Sequence, residues 1–149
     1  MAEQAIPKID LEYVFSVRIF FKERVTFMGP HGGRGFVPPS SGEIFGPRLT
    51  GTVVPYSGAD YAHFQNLANG IQINTHYMLR ADDGAWIYIR NIGYLHRSKD
   101  PNKPTYFRMT PYFDAPKGPH EWLSRTVILG TGERRTNPDH SLFTYYAVK

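Results

Sequence analysis

The sequence predicts an all-β fold: an antiparallel, up-and-down β-barrel of about eight strands with little or no helix. Aromatic residues form 15% of the 149 residues, including ten Tyr and ten Phe, and aromatic side chains are enriched in strands. Fourteen Gly and twelve Pro punctuate the chain, which indicates frequent turns. Strands at hairpin spacing predict a meander, and closing it into a barrel removes exposed edges. We therefore expect one domain, residues 1–149.

The first predicted strand is Leu11–Phe21, which is rich in β-branched and aromatic residues. Period-two alternation gives this strand one apolar face: Leu11, Tyr13, Phe15, Val17 and Ile19. The opposite face also carries apolar residues, Val14 and Phe20 among them. Apolar residues on both faces here and at residues 127–129 predict that part of the outer surface is covered. We expect a homodimer or higher homo-oligomer.

Residues 1–9 and 29–42 are predicted to be loop or mobile, and residues 28–42 are rich in Gly and Pro. This segment lacks the Walker spacing and its Lys-Ser/Thr pair, so it is not a phosphate loop. A long loop in a compact domain is either a functional lid or a mobile segment, and the sequence leaves both open. Residues 43–55 then indicate a strand that bends at Gly46-Pro47.

Further strands follow along the rest of the chain. Residues 60–65 indicate a short strand, and Asn69-Gly70 is a hairpin signal before a strand at residues 71–80. Three more strands are predicted at residues 105–113, 121–130 and 142–148. A polar turn is predicted at residues 132–141, so Arg134-Arg135 is interpreted as a pair of solvated turn charges.

The central stretch is residues 77–93, where Asp83-Gly84 is the strongest hairpin signal in the chain. A two-residue type I′ turn needs positive φ at both central positions, which Asp-Gly tolerates. This turn pairs Asp82 with Ala85, Leu79 with Tyr88 and Tyr77 with Arg90. Directly opposed residues share a face, so two phenols and a guanidinium point the same way. Such a face suits the wall of a ligand cavity or a satisfied polar cluster in the core.

Composition excludes several classes of chemistry. The chain has no cysteine, which excludes disulfides, thiolate nucleophiles and Cys-bound zinc. Its six histidines are not spaced as a metal triad, and the serine-hydrolase elbow and the dinucleotide fingerprint are missing, so we expect no metal and no cofactor. The net charge of +4 is scattered, which disfavours nucleic acid. Without a signal peptide or an apolar run of membrane length, we expect a cytoplasmic protein with no membrane partner.

Acid–base catalysis is the class of chemistry that these exclusions leave open. Asp60 follows a Gly-Ala turn at a strand start, so we expect it near a barrel mouth as a general base, with Tyr88 and Arg90 stabilising a developing enolate or alkoxide. The residues expected to bind substrate are Arg48, Tyr61, Tyr77, Arg108 and Trp122. Alternatively, Asp60 and an arginine form a charge pair that supports the barrel end, and Trp122 is a core aromatic.

These features predict a small-molecule-binding barrel that acts as a cofactor-independent isomerase, cyclase, dehydratase or hydrolase on an apolar or aromatic oxygenated metabolite. Such an enzyme would belong to secondary or aromatic metabolism. The alternative is a ligand-binding or carrier barrel without turnover. The two differ in one feature: an enzyme needs a titratable group with a shifted pKa in the cavity, whereas a carrier needs only hydrogen-bond donors.

Several segments together resemble one known family, the small bacterial and fungal proteins of domain-of-unknown-function family 3237. They are residues 45–55 with 58–61, residues 77–91, and residues 106–111 with 122–125 and 130–132. The resemblance spans nearly the whole chain and implies a single antiparallel β-barrel, with no general activity attached. This chain has Tyr61 where the family commonly has Trp, and Ser124 where Asn is common before Arg125.

Overall fold

The computed structural model describes residues 4–66, 70–100 and 102–149. Within these ranges the chain forms twelve strands and one short 3-10 helix at Glu121–Ser124. The strands are β1 Leu11–Phe21, β2 Val25–Gly29, β3 Gly32–Phe36, β4 Pro39–Phe45, β5 Gly51–Val53, β6 Ala59–Asp60, β7 His63–Phe64, β8 Ile71–Ala81, β9 Trp86–His96, β10 Tyr106–Asp114, β11 Ile128–Arg135 and β12 His140–Val148. The hairpin signal at Asn69-Gly70 includes Asn69, which lies outside the described residues.

Eight of the strands described form a closed antiparallel ring in the order β1-β4-β5-β8-β9-β10-β11-β12, with β12 pairing back to β1. Pairing of β8 with β9 completes the ring. The predicted all-β, up-and-down barrel is therefore confirmed. The remaining strands extend its wall: β2 pairs with β3, β3 with β7, and both β6 and β7 with β8.

The Gly/Pro-rich segment is mostly strand, so the predicted loop at residues 29–42 is wrong. It contains β3 and the start of β4. Its glycines serve close packing: a Cβ on Gly33 would lie 2.1 Å from the Phe64 ring, and one on Gly35 would lie 3.2 Å from the Ala62 Cβ. Glycine in a strand often marks such a close approach rather than a loop.

The predicted strand at residues 121–130 is also wrong. Residues 121–124 form the 3-10 helix, which buries Leu123 in the core, and β11 starts only at Ile128. β11 then continues to Arg135, so the predicted polar turn at residues 132–141 is too long. The charged residues Glu133 and Arg135 are typical of a polar turn in the sequence. In the structure they belong to β11 and pair with each other on its outer face.

A bulge divides the predicted apolar face of β1. The register with β12 shifts between Tyr13 and Phe15, so Phe15 is buried while Leu11 and Tyr13 are 54% and 39% exposed. Val127 and Leu129 are exposed as well. Whether a second copy covers these outer residues stays a prediction. Within the described ranges, no helix is long and apolar enough to cross a lipid bilayer.

The barrel lumen has two unlike halves. The half nearest the β8–β9 turn, here the packed half, is filled by apolar side chains such as Phe15, Leu79, Ile87, Ile89 and Phe113. Leu123 of the 3-10 helix belongs to the same buried cluster. The other half, here the hollow half, is bounded by the start of β8, the end of β9 and the start of β12, and it encloses a cavity. The hollow half is therefore the candidate functional site.

Candidate functional site

The register of the β8–β9 hairpin decides which side chains reach the lumen. The loop contains three residues, Asp82, Asp83 and Gly84, rather than two, because the Gly84 N–H donates to the Ala81 carbonyl at 2.9 Å and the Ala81 N–H donates to Ala85 at 2.9 Å. Gly84 has φ +91°, which favours glycine. The observed pairs are Tyr77 with Ile89, Met78 with Tyr88 and His76 with Arg90.

The predicted register is therefore wrong by one residue, and such a slip moves a whole strand's side chains to the opposite face. Tyr77 lies in the lumen, where it is 1% exposed. Tyr88 and Arg90 alternate with the buried Ile87, Ile89 and Asn91 and lie on the outer face. These two predicted catalytic residues cannot reach the cavity from there.

The hollow half contains a cavity of about 200 Å³. An apolar cavity of about 150 Å³ can hold benzene, so this volume suits one substituted ring. Most of the wall is apolar: Ile19, Phe21, Val37, Pro39, Ala62, Phe64, Ile71, Ile73, Leu95, Phe107 and Phe143, with Gly35. The polar lining residues are Arg24, Thr26, Asp60, Thr75, Tyr77, Asn91, Arg134 and Ser141.

Three of the polar side chains lie on one line across the wall. Asp60 on β6 pairs with Thr75 on β8, and Thr75 pairs with Asn91 on β9. Directly opposed residues on neighbouring strands share a face, so Asp60, Thr75 and Asn91 form a polar row on the lumen side. With strands about 4.8 Å apart, the row is about 10 Å long. It is a short polar strip in an otherwise apolar chamber.

Asp60 is the carboxylate of this polar row, and its backbone is fixed on both sides. Its N–H donates to Val37 and its carbonyl accepts from Val37, both at 3.0 Å. The Asn74 N–H donates to Oδ1 of Asp60 at 3.1 Å. Burial raises the pKa of Asp60 above its usual value, and the Asn74 amide, the Thr75 side chain and the charge of Arg24 offset only part of that rise. The predicted general base thus faces the cavity with a weakened preference for the charged form.

The inner end of the cavity holds polar atoms without partners. Among the described residues, the Tyr77 hydroxyl, the Tyr145 hydroxyl and the Asn91 Oδ1 are buried and lie close enough to affect one another, but none has a partner in good hydrogen-bond geometry. Tyr77 and Asn91 line the cavity, and Tyr145 lies beside both. Burial raises the pKa of Tyr77 and Tyr145, so both phenols are neutral donors. A buried group of this kind costs about 1–3 kcal/mol when left unpaired.

Two arginines stand where the cavity meets solvent. The guanidinium carbons of Arg24 and Arg134 lie 5.3 Å and 5.4 Å from the centre of the Phe21 ring. Arg24 donates to Asp139 at 2.7 Å, and Arg134 also bonds Asp139. Arg134 further donates to the Ser141 hydroxyl at 2.6 Å. Burial lowers the pKa of Arg134, as does the nearby Arg24 cation.

The remaining predicted site residues lie away from the cavity. On the outer face, the Tyr88 hydroxyl bonds Nδ1 of His76 at 2.7 Å, and Arg90 donates to Asn74 at 3.4 Å. Arg108, also on the outside, donates to the Phe107 carbonyl at 3.0 Å. The structure thus places Tyr88, Arg90 and Arg108 on the barrel exterior.

Tyr61, Arg48 and Trp122 are separated from the cavity as well. Tyr61 alternates with the lumen-facing Asp60 and Ala62 and packs outside against Phe36, with ring centres 5.8 Å apart. Arg48 stacks over Trp122 at 3.8 Å. Trp122 packs against the buried cluster beside Leu123, at the packed half. Of the predicted residues, the structure brings together Asp60 and Tyr77.

Sequence reasoning missed Arg24, Thr75, Asn91, Arg134 and Ser141. Alternation from the buried Ile128 along β11 would have placed Arg134 on the lumen side, but the assumed turn hid it. Asn91 has the same parity as Ile87 and Ile89 once the hairpin register is known. Nothing in the local sequence marks Arg24.

No three His, Asp or Glu side chains approach each other closely enough to share a metal ion in the part of the chain that the structure describes. The described residues that line the cavity include no histidine. The functional groups that this chain itself brings to the cavity are a carboxylate, hydroxyls, a carboxamide and two guanidiniums.

Comparisons with known proteins agree with this architecture. Residues 9–148 match the profile of a family described as a protein of unknown function, DUF3237. A UPF0311 protein of Rhodopseudomonas palustris is 30% identical over 147 residues, covering 88% of this chain and 92% of that protein. A UPF0311 protein of Clostridium acetobutylicum is 27% identical, covering 96% of each.

Solved structures share the barrel. A β-barrel-like protein of Acinetobacter baumannii superposes with a TM-score of 0.87 at 25% identity, covering 99% of this chain and 100% of that one. The crystal structure of an enzyme from Penicillium herquei superposes with a TM-score of 0.74 at 19% identity, covering 100% of both chains. The second likeness is one of fold alone.

Proposed function

The chain belongs to the DUF3237 family, and we propose that this member is a cofactor-independent acid–base enzyme that acts on a small ring compound bearing oxygen substituents. The reaction takes place in the hollow half of the barrel. Asp60 is the general base, and Tyr77 with Asn91 holds the ligand oxygen. This proposal keeps Asp60 and replaces Tyr88 and Arg90, which lie outside.

One observation carries the proposal: the polar row Asp60, Thr75 and Asn91 lies in an apolar cavity large enough for a substituted ring. Apolar cavities with a few convergent polar groups are typical of small-molecule sites. The carboxyl in this row, Asp60, has a raised pKa. A pKa closer to neutral pH makes a carboxylate a more effective general base. If this part of the lumen had only a structural role, we would expect aliphatic side chains at the positions of the polar row.

The chemistry follows from the groups in the cavity. Asp60 removes a proton from a carbon next to a carbonyl group of the ring compound, in the ring or on its side chain, and the electron pair of that C–H bond moves onto the carbonyl oxygen to give an enolate. The neutral Tyr77 hydroxyl donates a hydrogen bond to this oxygen. Where a C=C bond adjoins the deprotonated carbon, the enolate is a dienolate, and protonated Asp60 then returns the proton to its far carbon, which moves the double bond and completes an isomerisation. The same enolate serves an elimination when a leaving group is adjacent.

The Penicillium herquei protein is described as an enzyme, which is compatible with catalysis in this fold. A carrier is the second candidate, since unpaired hydroxyls such as those of Tyr77 and Tyr145 also suit binding alone. The two differ in what happens to a bound ligand's acidic C–H bonds. An enzyme exchanges them with solvent, and a carrier does not.

The test is deuterium exchange in D₂O, followed by proton NMR of 4-hydroxyphenylacetone, with binding measured separately by calorimetry. We expect the native protein to speed exchange at the carbons flanking the carbonyl. Asp60→Asn should remove the exchange while retaining binding, because it removes the base and little volume. Asp114→Asn is the matched control, since Asp114 bonds Tyr112 on the outer face.

Exchange that persists in Asp60→Asn would contradict the assignment of Asp60 as the base. Binding without exchange in the native protein would favour the carrier. Failure of this ketone and of simple phenols to bind would contradict the cavity as a ligand site.

A further inference from the structure

The mouth of the cavity carries more positive than negative charge. Arg24 and Arg134 both line it, and Asp139 is shared between them. The Asp60 carboxylate also acts on Arg24, and the Arg97 cation acts on Arg134. The nearby Glu133 is occupied by Arg135 at 3.0 Å on the outer face. Three cations, Arg24, Arg134 and Arg97, thus stand against two carboxylates, Asp139 and Asp60, which leaves one positive charge uncompensated.

The two guanidiniums are held in place by more than Asp139. Both stack on the Phe21 ring, at 5.3 Å and 5.4 Å, and Arg134 is tied to the Ser141 hydroxyl. Their side chains are 43% and 27% exposed, so they border both the cavity and the solvent. Arginine is the residue best suited to bind a carboxylate at a partly desolvated site.

From this charge and geometry we propose that the ligand is an amphiphilic ring acid, whose carboxylate binds Arg24 and Arg134 at the mouth while its ring and oxygen substituent point toward Tyr77 and Asn91. The inference rests on the proposed function, because it names the substrate class for the same cavity. A carboxylate at the mouth balances the positive charge that remains there. It also keeps the ligand's negative charge at the end of the cavity where the cations lie, rather than among the neutral phenols.

The anionic end also orients the ligand. A ring held only by apolar walls can enter with either end first, since hydrophobic contacts are not directional. A carboxylate fixed at the arginines sends the opposite end inward, toward the unpaired Tyr77 hydroxyl and Asn91 Oδ1. A ligand hydroxyl there can donate to the Asn91 oxygen and accept from Tyr77. The arginines thus act as positioning residues for the chemistry at Asp60.

Calorimetric titration with three probes tests this: 4-hydroxybenzoate, its methyl ester, and phenol. We expect the acid to bind about tenfold or more tightly than the ester, with an advantage that shrinks as the salt concentration is raised from about 0.05 M to about 0.5 M, because added ions screen exposed charges. Arg24→Met should remove most of that advantage while phenol binding stays unchanged. Arg24→Lys should restore part of it.

Arg134→Met is the second variant, and it should act in the same direction even if it also lowers stability. Arg135→Met is the matched control, because Arg135 points outward and pairs with Glu133; it should leave the preference for the acid intact. Comparing these variants with the control distinguishes the effect of charge at the mouth on binding from the effect of the protein's overall charge.

Equal affinity for the acid and the ester would overturn the inference and leave the proposed function standing. So would a preference for the acid that survives in both Arg24→Met and Arg134→Met. If none of the three probes binds, the cavity is not a site for ring compounds, and the proposed function fails together with the inference.

Discussion

The packed half and the hollow half of the lumen share the strands of the closed ring, but β2, β3, β6 and β7 also line the hollow half, and the two halves are filled differently. In the packed half, aromatic rings lock together: Phe15 lies 5.9 Å from Phe113 and 5.2 Å from Tyr145, centre to centre. In the hollow half, lumen positions carry smaller residues such as Ala62, Thr75 and Ser141. The difference teaches that the cavity lies where additional strands extend the wall and where several lumen positions carry small or polar residues. The tight aromatic packing and the cavity thus lie at opposite ends of the lumen.

The largest effect should come from shortening a matched residue in each half. Ile89→Ala in the packed half removes a fully buried side chain and should lower the free energy of unfolding by about 2–5 kcal/mol. Ile73→Ala borders the existing cavity, where fewer partner atoms are lost, so about 2 kcal/mol or less is expected. Urea denaturation measures both. Equal losses would contradict the division into two halves.

Enlarging an alanine should produce a smaller effect with the same asymmetry. Ala147 belongs to the buried cluster, so Ala147→Leu should overpack it and cost about 1–3 kcal/mol. Ala62 is buried but borders the cavity, so Ala62→Leu should cost less than Ala147→Leu, about 1 kcal/mol or less. The same Ala62→Leu variant should weaken binding of phenol, measured by calorimetry. A loss of stability without a loss of binding would show that the larger side chain does not enter the cavity.

The smallest expected effect is a change in Tm that depends on pH, and its sign is what tests the description of Asp60. Because the pKa of Asp60 is raised in the folded protein, its ionisation opposes folding as the pH rises above the unfolded value of about 3.9. Asp60→Asn should therefore raise Tm at about pH 7, and the gain should vanish below about pH 3.9, where the carboxyl is protonated in both states. Thermal denaturation across pH measures it.

Asp139→Asn is the matched comparison, and its expected change in Tm has the opposite sign. Burial tends to raise the pKa of Asp139, but Arg24 and Arg134 outweigh that and lower it. Its ionisation therefore supports folding above the unfolded pKa, and that support is lost in acid. Asp139→Asn should lower Tm at about pH 7. The same sign for both variants would contradict the electrostatic description of the hollow half.

Much of the fold was predictable because it depends on local patterns. The bounds of β1 match the apolar run at residues 11–21, and Asp83-Gly84 did mark the turn between β8 and β9. The turn's length was not predictable from that dipeptide. The Asp83 carboxylate accepts the Ala85 N–H at 3.1 Å, which accompanies a three-residue loop. One extra loop residue was enough to exchange the inner and outer faces of β9.

The site was less predictable because it depends on residues that are distant in sequence and on space that no motif encodes. Asp60 could be found from its strand start, and Tyr77 was assigned to the lumen despite the wrong register. Arg24 and Arg134 come from opposite ends of the chain and meet only because β1 pairs with β12. The glycines at residues 32–36 read as a loop, although they let Phe64 and Ala62 pack closely.

The double pairing of Asp60 has a consequence for the rigidity of the cavity wall. Hydrogen bonds to Val37 on one side and strand pairing to Thr75 on the other hold the backbone of Asp60 in place. Under the function proposed above, the carboxylate is therefore already in position before a ligand arrives, and we expect binding to require no change in the strands around it.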